Sequence, residues 1–194
     1  MFVVLITRGY PSARHLQNGN FEATQAQALS RLGHKVIVIG VNCYSIKNYD
    51  IIGSHHRYEA GIEIYEDYSL AFPSHNRMPF IVKSWILSIK INRILRRIIK
   101  QHGVPDIIHS HYLLMTSAVG RIIDRFKIPL ICTEHWSQIN SNNLSKSVID
   151  EGKAAYQKAA RILAVSDQTK KSILTKFGFE AETMYNMVDN RYFN

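Results

Sequence analysis

The sequence predicts an α/β protein, a doubly wound and mainly parallel sheet with helices on both faces. Three observations lead there. Short apolar runs alternate with segments of helical spacing along the whole chain, the pattern of strands joined by crossover helices. Glycines and prolines punctuate the ends of those segments. The 194 residues are 46% hydrophobic and 10% aromatic, enough for one domain with a sizeable core and unlike a disordered chain.

Phe2 to Thr7 reads as the first core strand, followed by a polar loop, Arg8 to Asn20, that carries Gly9, Pro11 and Gly19. Phe21 to Leu32 has helical spacing, with Asn20 as its expected N-cap and Gly33 as its C-terminal stop. Val36 to Val41 is a second, continuous apolar strand. Strand, loop, helix and strand in this order make a right-handed βαβ unit. Asn42 to Tyr58 is polar and expected to be irregular. Gly61 to Tyr68 alternates apolar and polar residues as a third strand, and Ser69 to Met78 is a loop. Pro79 to His102 is a basic helix ended by Gly103 and Pro105.

The centre of the chain is Pro105 to Trp136. Two apolar runs, Ile107-Ile108 and Pro129 to Thr133, flank a helical segment, and each run leads into histidine: His109 and His111 after the first, His135 after the second. In open parallel sheets ligands bind outside the carboxyl ends of the strands, where these histidines fall. Beyond them the chain reads as a loop (Asn140 to Ser147), a helix (Val148 to Ala159) and a strand (Arg161 to Val165) closed by Ser166. A helix from Asp167 to Phe177 is stopped by Gly178, and Glu182 to Tyr185 reads as a last strand.

Bulk features narrow the class. Cys43 and Cys132 lie far apart, in or beside strands, as buried thiols of a reducing compartment rather than a disulfide frame. The start, MFVVLITRGY, lacks the basic region and apolar length of a signal peptide, and no apolar run reaches the roughly 20 residues of a membrane span. A cytoplasmic location is expected. The net charge of +9 is uneven: no acidic residue lies between Tyr68 and Pro105, whereas Arg77, Lys83, Lys90, Arg93, Arg96, Arg97 and Lys100 do. Such a stripe suits an anionic membrane surface, a phosphorylated substrate or nucleic acid.

The candidate site residues each have a specific chemistry. Gly19 and Asn20 precede a helix, where a close backbone approach and free N–H groups suit a phosphate; no GxGxxG is present, which argues against a nicotinamide dinucleotide. His109 and His111 project to one side of an alternating strand, a geometry open to metal but without a third ligand at fixed spacing. His135 suits hydrogen bonding or proton transfer to a sugar, with Trp136 beside it as a stacking surface and Glu134 as a neighbouring carboxylate. Ser166, outside any GxSxG elbow, reads as a helix N-cap.

On these residues the chain resembles the amino-terminal domain of glycosyltransferase family 4, the retaining GT-B enzymes. Gly19-Asn20-Phe21-Glu22 followed by LSRLGHKVIVIG looks like the family's Gly-Gly loop, first helix and "RGHEV" strand entry. PDIIHSHY looks like its "PDVVHAH" strand and IPLICTEHW like "IPLVVTxHG". ARILAVSDQTKKSIL and YNMVDNRYF look like its "ADxIxAVS" strand and "PNGVDxxxF" crossover. Asn20 stands for the second glycine, Met187 for the glycine of Asn-Gly-Val-Asp, and Trp136 for a small residue. The resemblance implies a Rossmann-like half of a GT-B fold over residues 1–185, with 186–194 opening the crossover to a second, donor-binding domain, without which the chain is expected to be inactive.

The resemblance further implies transfer from a nucleotide-diphosphate sugar to a glycan or lipid-linked acceptor, in cell-surface polysaccharide synthesis. It implies no cofactor, no metal and no nucleic-acid partner. His135 would be catalytic, touching the donor sugar. Gly19 and Asn20 would face the diphosphate, His111 would shape the acceptor pocket, and His109, Glu134 and Ser166 are further substrate-binding candidates. The basic helix, residues 80–102, would lie on an anionic membrane at its inner face. A GT-B sugar-nucleotide epimerase, or a non-catalytic binding domain, would share the architecture.

Overall fold

A computed structural model describes residues 1–12, 15, 17–44, 52–70 and 79–187. The expected loop at 71–78, part of the polar stretch after Asn42 and the crossover residues 188–194 lie outside them. Eight strands form one sheet in the order β3-β4-β2-β1-β5-β6-β7-β8. They are β1 (Phe2–Thr7), β2 (Lys35–Tyr44), β3 (Gly53–Glu59), β4 (Ile62–Leu70), β5 (Ile107–His111), β6 (Leu130–Glu134), β7 (Arg161–Ala164) and β8 (Glu182–Thr183). Every neighbouring pair is parallel except β3 with β4. The helices are α1 (Asn20–Arg31), α2 (Phe80–His102), α3 (Leu113–Gly120), α4 (Lys146–Tyr156) and α5 (Asp167–Phe177).

Strand alternation sorts the core into layers. Val4, Ile6, Ile37, Ile39 and Ile108 meet Leu87, Ile91, Leu95 and Ile98 of α2 and Met115 and Ala118 of α3. On the opposite face, Val3, Leu5, Val36, Val38, Ile62 and Ile64 pack with Ala23 and Ala26 of α1. A third cluster joins Cys132, Ile162 and Ala164 to Tyr156, Ile173 and Phe177 of α4 and α5. Each fully buried Leu or Ile contributes roughly 1.5–3 kcal/mol.

Three expectations need correction. Asn20 does not cap α1: Gly19 does, at φ 75°, and Asn20 is the first helical residue. The expected irregular stretch contains β3, an antiparallel edge strand joined to β4 through Ala60 and Gly61, whose φ values of 50° and 79° give the two-residue turn that matches strand twist. α4 begins at Lys146, two residues before Val148, because the Ser145 hydroxyl accepts the Val148 N–H at 3.3 Å and so sets its start. Both cysteines are free and buried.

Candidate active site

Because β1, β5, β6 and β7 run parallel, their carboxyl ends open on one edge of the sheet, and the candidate residues gather there. Pairing of Leu5 with His109, and of His111 with Thr133, sets the register. It puts His109 on the α1 side, where Gln25 Nε2 donates to His109 Nδ1 at 3.4 Å and His109 Nε2 lies 2.8 Å from Thr133 Oγ1. His111 stacks on His109 with ring centroids 4.5 Å apart. A hydrogen bond of 3.0 Å joins His111 Nδ1 to His135 Nε2. The structure thus brings His109, His111 and His135 into one group.

That group is dry. His109 is 6% exposed and His111 1%. Burial pushes the His109 and His135 imidazoles down to about 4, helped at His109 by His135 and at His135 by the charge of Arg8, and holds His111 well below its ordinary value. At neutral pH all three rings are uncharged. Phe21 lies on His135 almost parallel, 6.2 Å between centroids, and Tyr112 tilts against it at 5.1 Å. Phe21, Gln25, Thr133, His135 and residues 184–187 line a narrow cleft. Among the described residues no group of three or more His, Cys, Asp or Glu is placed to hold a metal ion.

Gly19 meets the loop of Gly9 so closely that a Cβ on it would fall within 3 Å of the Gly9 carbonyl oxygen, and its φ of 75° disfavours other residues. Its carbonyl accepts the Ala23 N–H at 2.9 Å, the first bond of α1. Asn20 is exposed beside it. Glu134 and Ser166 are engaged elsewhere. Alternation turns Glu134 to the other face of the sheet, 1% exposed, where Oε1 accepts the Trp136 N–H at 2.7 Å and Oε2 the Tyr156 hydroxyl at 2.9 Å. Burial still pushes this carboxyl up to about 7. Ser166 caps α5, its hydroxyl accepting the Thr169 N–H at 3.1 Å.

Sequence reasoning missed Arg8, Tyr112 and the inward turn of Glu22. The Arg8 guanidinium lies 3.6 Å from the centre of the Tyr112 ring. Tyr112 holds φ 70°, a strained value for a residue with a side chain, at the corner between β5 and α3. Glu22, 1% exposed at the start of α1, is raised by burial and eased down by its own backbone N–H, by Arg8 and by the Tyr112 hydroxyl. The available signal was position: Arg8 and Tyr112 each directly follow a strand at its carboxyl end.

The eight-stranded, mainly parallel sheet with helices on both faces has the Rossmann-like architecture of GT-B glycosyltransferase domains, and comparison with solved structures agrees. Sucrose-phosphate synthase from Thermosynechococcus elongatus superimposes with a TM-score of 0.66 at 14% identity, covering 95% of this chain and 47% of that one. The E. coli trehalose-6-phosphate protein bound with UDP-2-fluoro glucose gives 0.66 at 9% identity, covering 99% and 50%. The catalytic domain of starch synthase IV from Arabidopsis thaliana, bound to ADP and acarbose, gives 0.60 at 14%, covering 100% and 52%. The family model described as Glycosyltransferase Family 4 matches residues 23–192, and the chain belongs to that family. TuaC of Bacillus subtilis (strain 168), named as a teichuronic acid biosynthesis glycosyltransferase, is 26% identical over 196 residues. That match covers 95% of this chain and 49% of TuaC, so the chain spans about half the length of this curated relative.

Proposed function

We propose that this chain is the acceptor-side half of a retaining glycosyltransferase that moves a hexosyl group from a nucleotide-diphosphate sugar to a glycan or lipid-linked acceptor in cell-surface polysaccharide synthesis. One observation carries the reading. The neutral pair of buried His111 and half-buried His135 stands at the carboxyl edge of the sheet, beside the start of α1 and beneath an exposed Phe21. An uncharged imidazole in a dry site hydrogen-bonds a sugar hydroxyl without the cost of desolvating an ion.

In this mechanism a sugar of the donor lies against His135, and His135 orients it while the glycosidic bond to the diphosphate breaks. Gly19 and Asn20 face the leaving diphosphate with the positive end of the α1 dipole. Arg8 adds a fixed cation on the same side. His109 and His111 hold His135 from behind. Glu134 and Ser166, with their oxygens already bonded inside the fold, keep the β6 and β7 ends in place rather than reach a substrate. The diphosphate's remaining contacts, and turnover, depend on a second domain. The test uses the full-length enzyme with a panel of nucleotide sugars: His135→Ala lowers transfer about a hundredfold, and retained transfer removes His135 from the mechanism.

The reading includes an anionic membrane as the surface that presents a lipid-linked acceptor. What supports it is α2, which exposes Ile81, Val82, Trp85 and Ile89 along its first half and exposed basic residues, Arg96 and Lys100, along its second. Among the described residues no helix is long and apolar enough to cross a membrane.

A further inference from the structure

Arg57, Arg93, Arg121 and Arg161 are each held by a carboxylate, those of Glu66, Asp67, Glu151 and Glu182. Arg8 is seated differently. Among the described residues no carboxylate lies within ion-pair distance of it. Even Glu22 Oε2, buried at the start of α1 without a hydrogen bond, is not taken. The Arg8 guanidinium lies instead on the face of the Tyr112 ring, 3.6 Å from its centre.

Strand register makes this contact. Ile6 of β1 pairs with Ser110 of β5, so two residues further along each chain Arg8 stands opposite Tyr112. Arg8 is exposed, yet its backbone is pinned. The Tyr44 hydroxyl donates to its carbonyl at 3.2 Å, and Thr7 and Gly9 on either side of it are bonded to each other. Gly9 packs against Gly19 at the start of α1, and the Tyr112 ring tilts against His135 at 5.1 Å. The guanidinium thus joins the open edge that Gly19 and His135 share.

Tyr112 holds φ 70°, a backbone in which glycine is at ease and a residue with a side chain is not. Its N–H donates to the Thr133 carbonyl at 2.9 Å, and its carbonyl accepts the N–H groups of Met115 and Thr116 at 3.0 Å. Glycine would make the same bonds without strain, so they do not account for a tyrosine. The ring does. Strained positions that persist in a fold gather where function uses them. A carboxylate under Arg8 would cancel its charge and occupy its N–H groups. An aromatic face holds the cation by its flat side and leaves the in-plane N–H donors unspent.

We infer that Tyr112 is a positioning residue for Arg8: its ring seats the guanidinium at the end of β1, so that the charge and the N–H donors meet an oxyanion of the phosphate class. That this oxyanion is the leaving diphosphate of a nucleotide sugar rests on the glycosyltransferase reading; the seat does not.

The probe is inorganic pyrophosphate, titrated into this chain with ¹⁵N-labelled arginine and followed through the Nε–H signal of Arg8 and the backbone amides. Arg8→Met identifies that signal and should weaken binding about tenfold. Tyr112→Leu should weaken it about fivefold, whereas Tyr112→Phe, which keeps the ring, should stay within about twofold of wild type. Placed in the Arg8→Met background, Tyr112→Leu should add nothing, because both changes remove one contact. Tyr112→Gly separates the seat from the strain. It relaxes the backbone and should still bind as weakly as Tyr112→Leu. Backbone amide spectra show which variants are folded, and Tyr112→Gly takes the place of Tyr112→Leu if the latter is not.

An Arg8 signal that pyrophosphate does not move in wild type overturns the inference. So does Tyr112→Gly binding as tightly as wild type, or losses from Arg8→Met and Tyr112→Leu that multiply. In the full-length enzyme, Tyr112→Leu should lower kcat/KM for the donor about fivefold, with Tyr112→Phe restoring it. If the chain titrates as expected but the full-length wild type transfers no sugar, the glycosyltransferase reading falls and the seat stands. If Tyr112→Leu keeps both sugar transfer and pyrophosphate binding, the seat falls and the reading stands.

Discussion

Glu134 shows how far a single residue's environment departs from what its neighbours in sequence suggest. One position before His135, it faces the opposite layer, beneath Tyr156. Its carboxyl is raised from 4.5 to about 7, so the folded state holds the proton that the unfolded chain gives up, and this contribution to stability is full below pH 4.5 and lost as pH rises through 7. Glu134→Gln keeps the shape and can keep both hydrogen bonds. Urea unfolding should therefore find the variant's advantage over wild type growing from pH 4.5 to about 7 and level above it; a difference that is constant with pH contradicts the assignment. Two simpler substitutions set the scale. Ser166→Ala removes the α5 cap and should cost about 1 kcal/mol. Gly19→Ala should cost about 2 kcal/mol or more, since it forces a left-handed backbone and drives a methyl into the Gly9 carbonyl. Strand alternation alone put His109 and His111 on one side, and that much could be read from the sequence. That Gln25, on a helix 84 residues away, would hold His109 could not, because only the packing of α1 on β5 brings them together.

At the scale of elements, α2 is a helix of two halves. Lys90 and Arg93 are tied to the buried carboxylate of Asp67 on β4, and Arg97 lies over the Tyr65 ring at 5.4 Å. Part of what reads as a free basic stripe therefore belongs to the seam between α2 and the sheet. The surface left for a membrane is Ile81, Trp85 and Ile89 with Arg96 and Lys100, and Trp85 carries the Arg121 guanidinium on its ring at 4.4 Å. Co-sedimentation with vesicles rich in anionic lipid should fall several-fold in Ile89→Ser with Arg96→Gln and Lys100→Gln; binding as strong as wild type removes the membrane from the proposal. The same distinction explains which elements were legible. β1 and β2 are buried runs marked by their apolar continuity, and β4 is buried but marked by alternation of apolar and polar residues. β3, with the sequence GSHHRYE, has no apolar face because it lies at the sheet edge, largely exposed. Its polar side chains pair across to β4, His56 with Glu63 at 2.9 Å and Arg57 with Glu66 at 3.2 Å, so the strand is held by polar contacts that a search for hydrophobic periodicity passes over.

The whole molecule inherits an acid sensitivity from its site. His109 and His135 are lowered from 6.5 to about 4, and burial holds His111 well below its ordinary value, so each is uncharged in the fold and takes up a proton on unfolding. Their contribution is full above pH 6.5 and lost as pH falls toward 4, opposite in sign to that of Glu134 and three groups against one. The urea midpoint should accordingly drop between pH 7 and 5, and a level midpoint would show that the imidazoles are not held neutral. One last consequence lies in the order of the strands. The chain begins in the middle of its own sheet: β1 is flanked by β2, soon after it, and by β5, with Phe2 and Asp106 bonded across a separation of 104 residues. A ribosome therefore releases β1, α1, β2, β3 and β4 as one half-sheet well before β5 exists to cover the other side of β1. Closing that long loop is the slow entropic step, and until it is taken the central strand has an open flank. Refolding in vitro should be limited by the joining of two halves at the β1–β5 seam, and a nascent chain halted before Ile107 should depend on chaperones to keep that seam unoccupied.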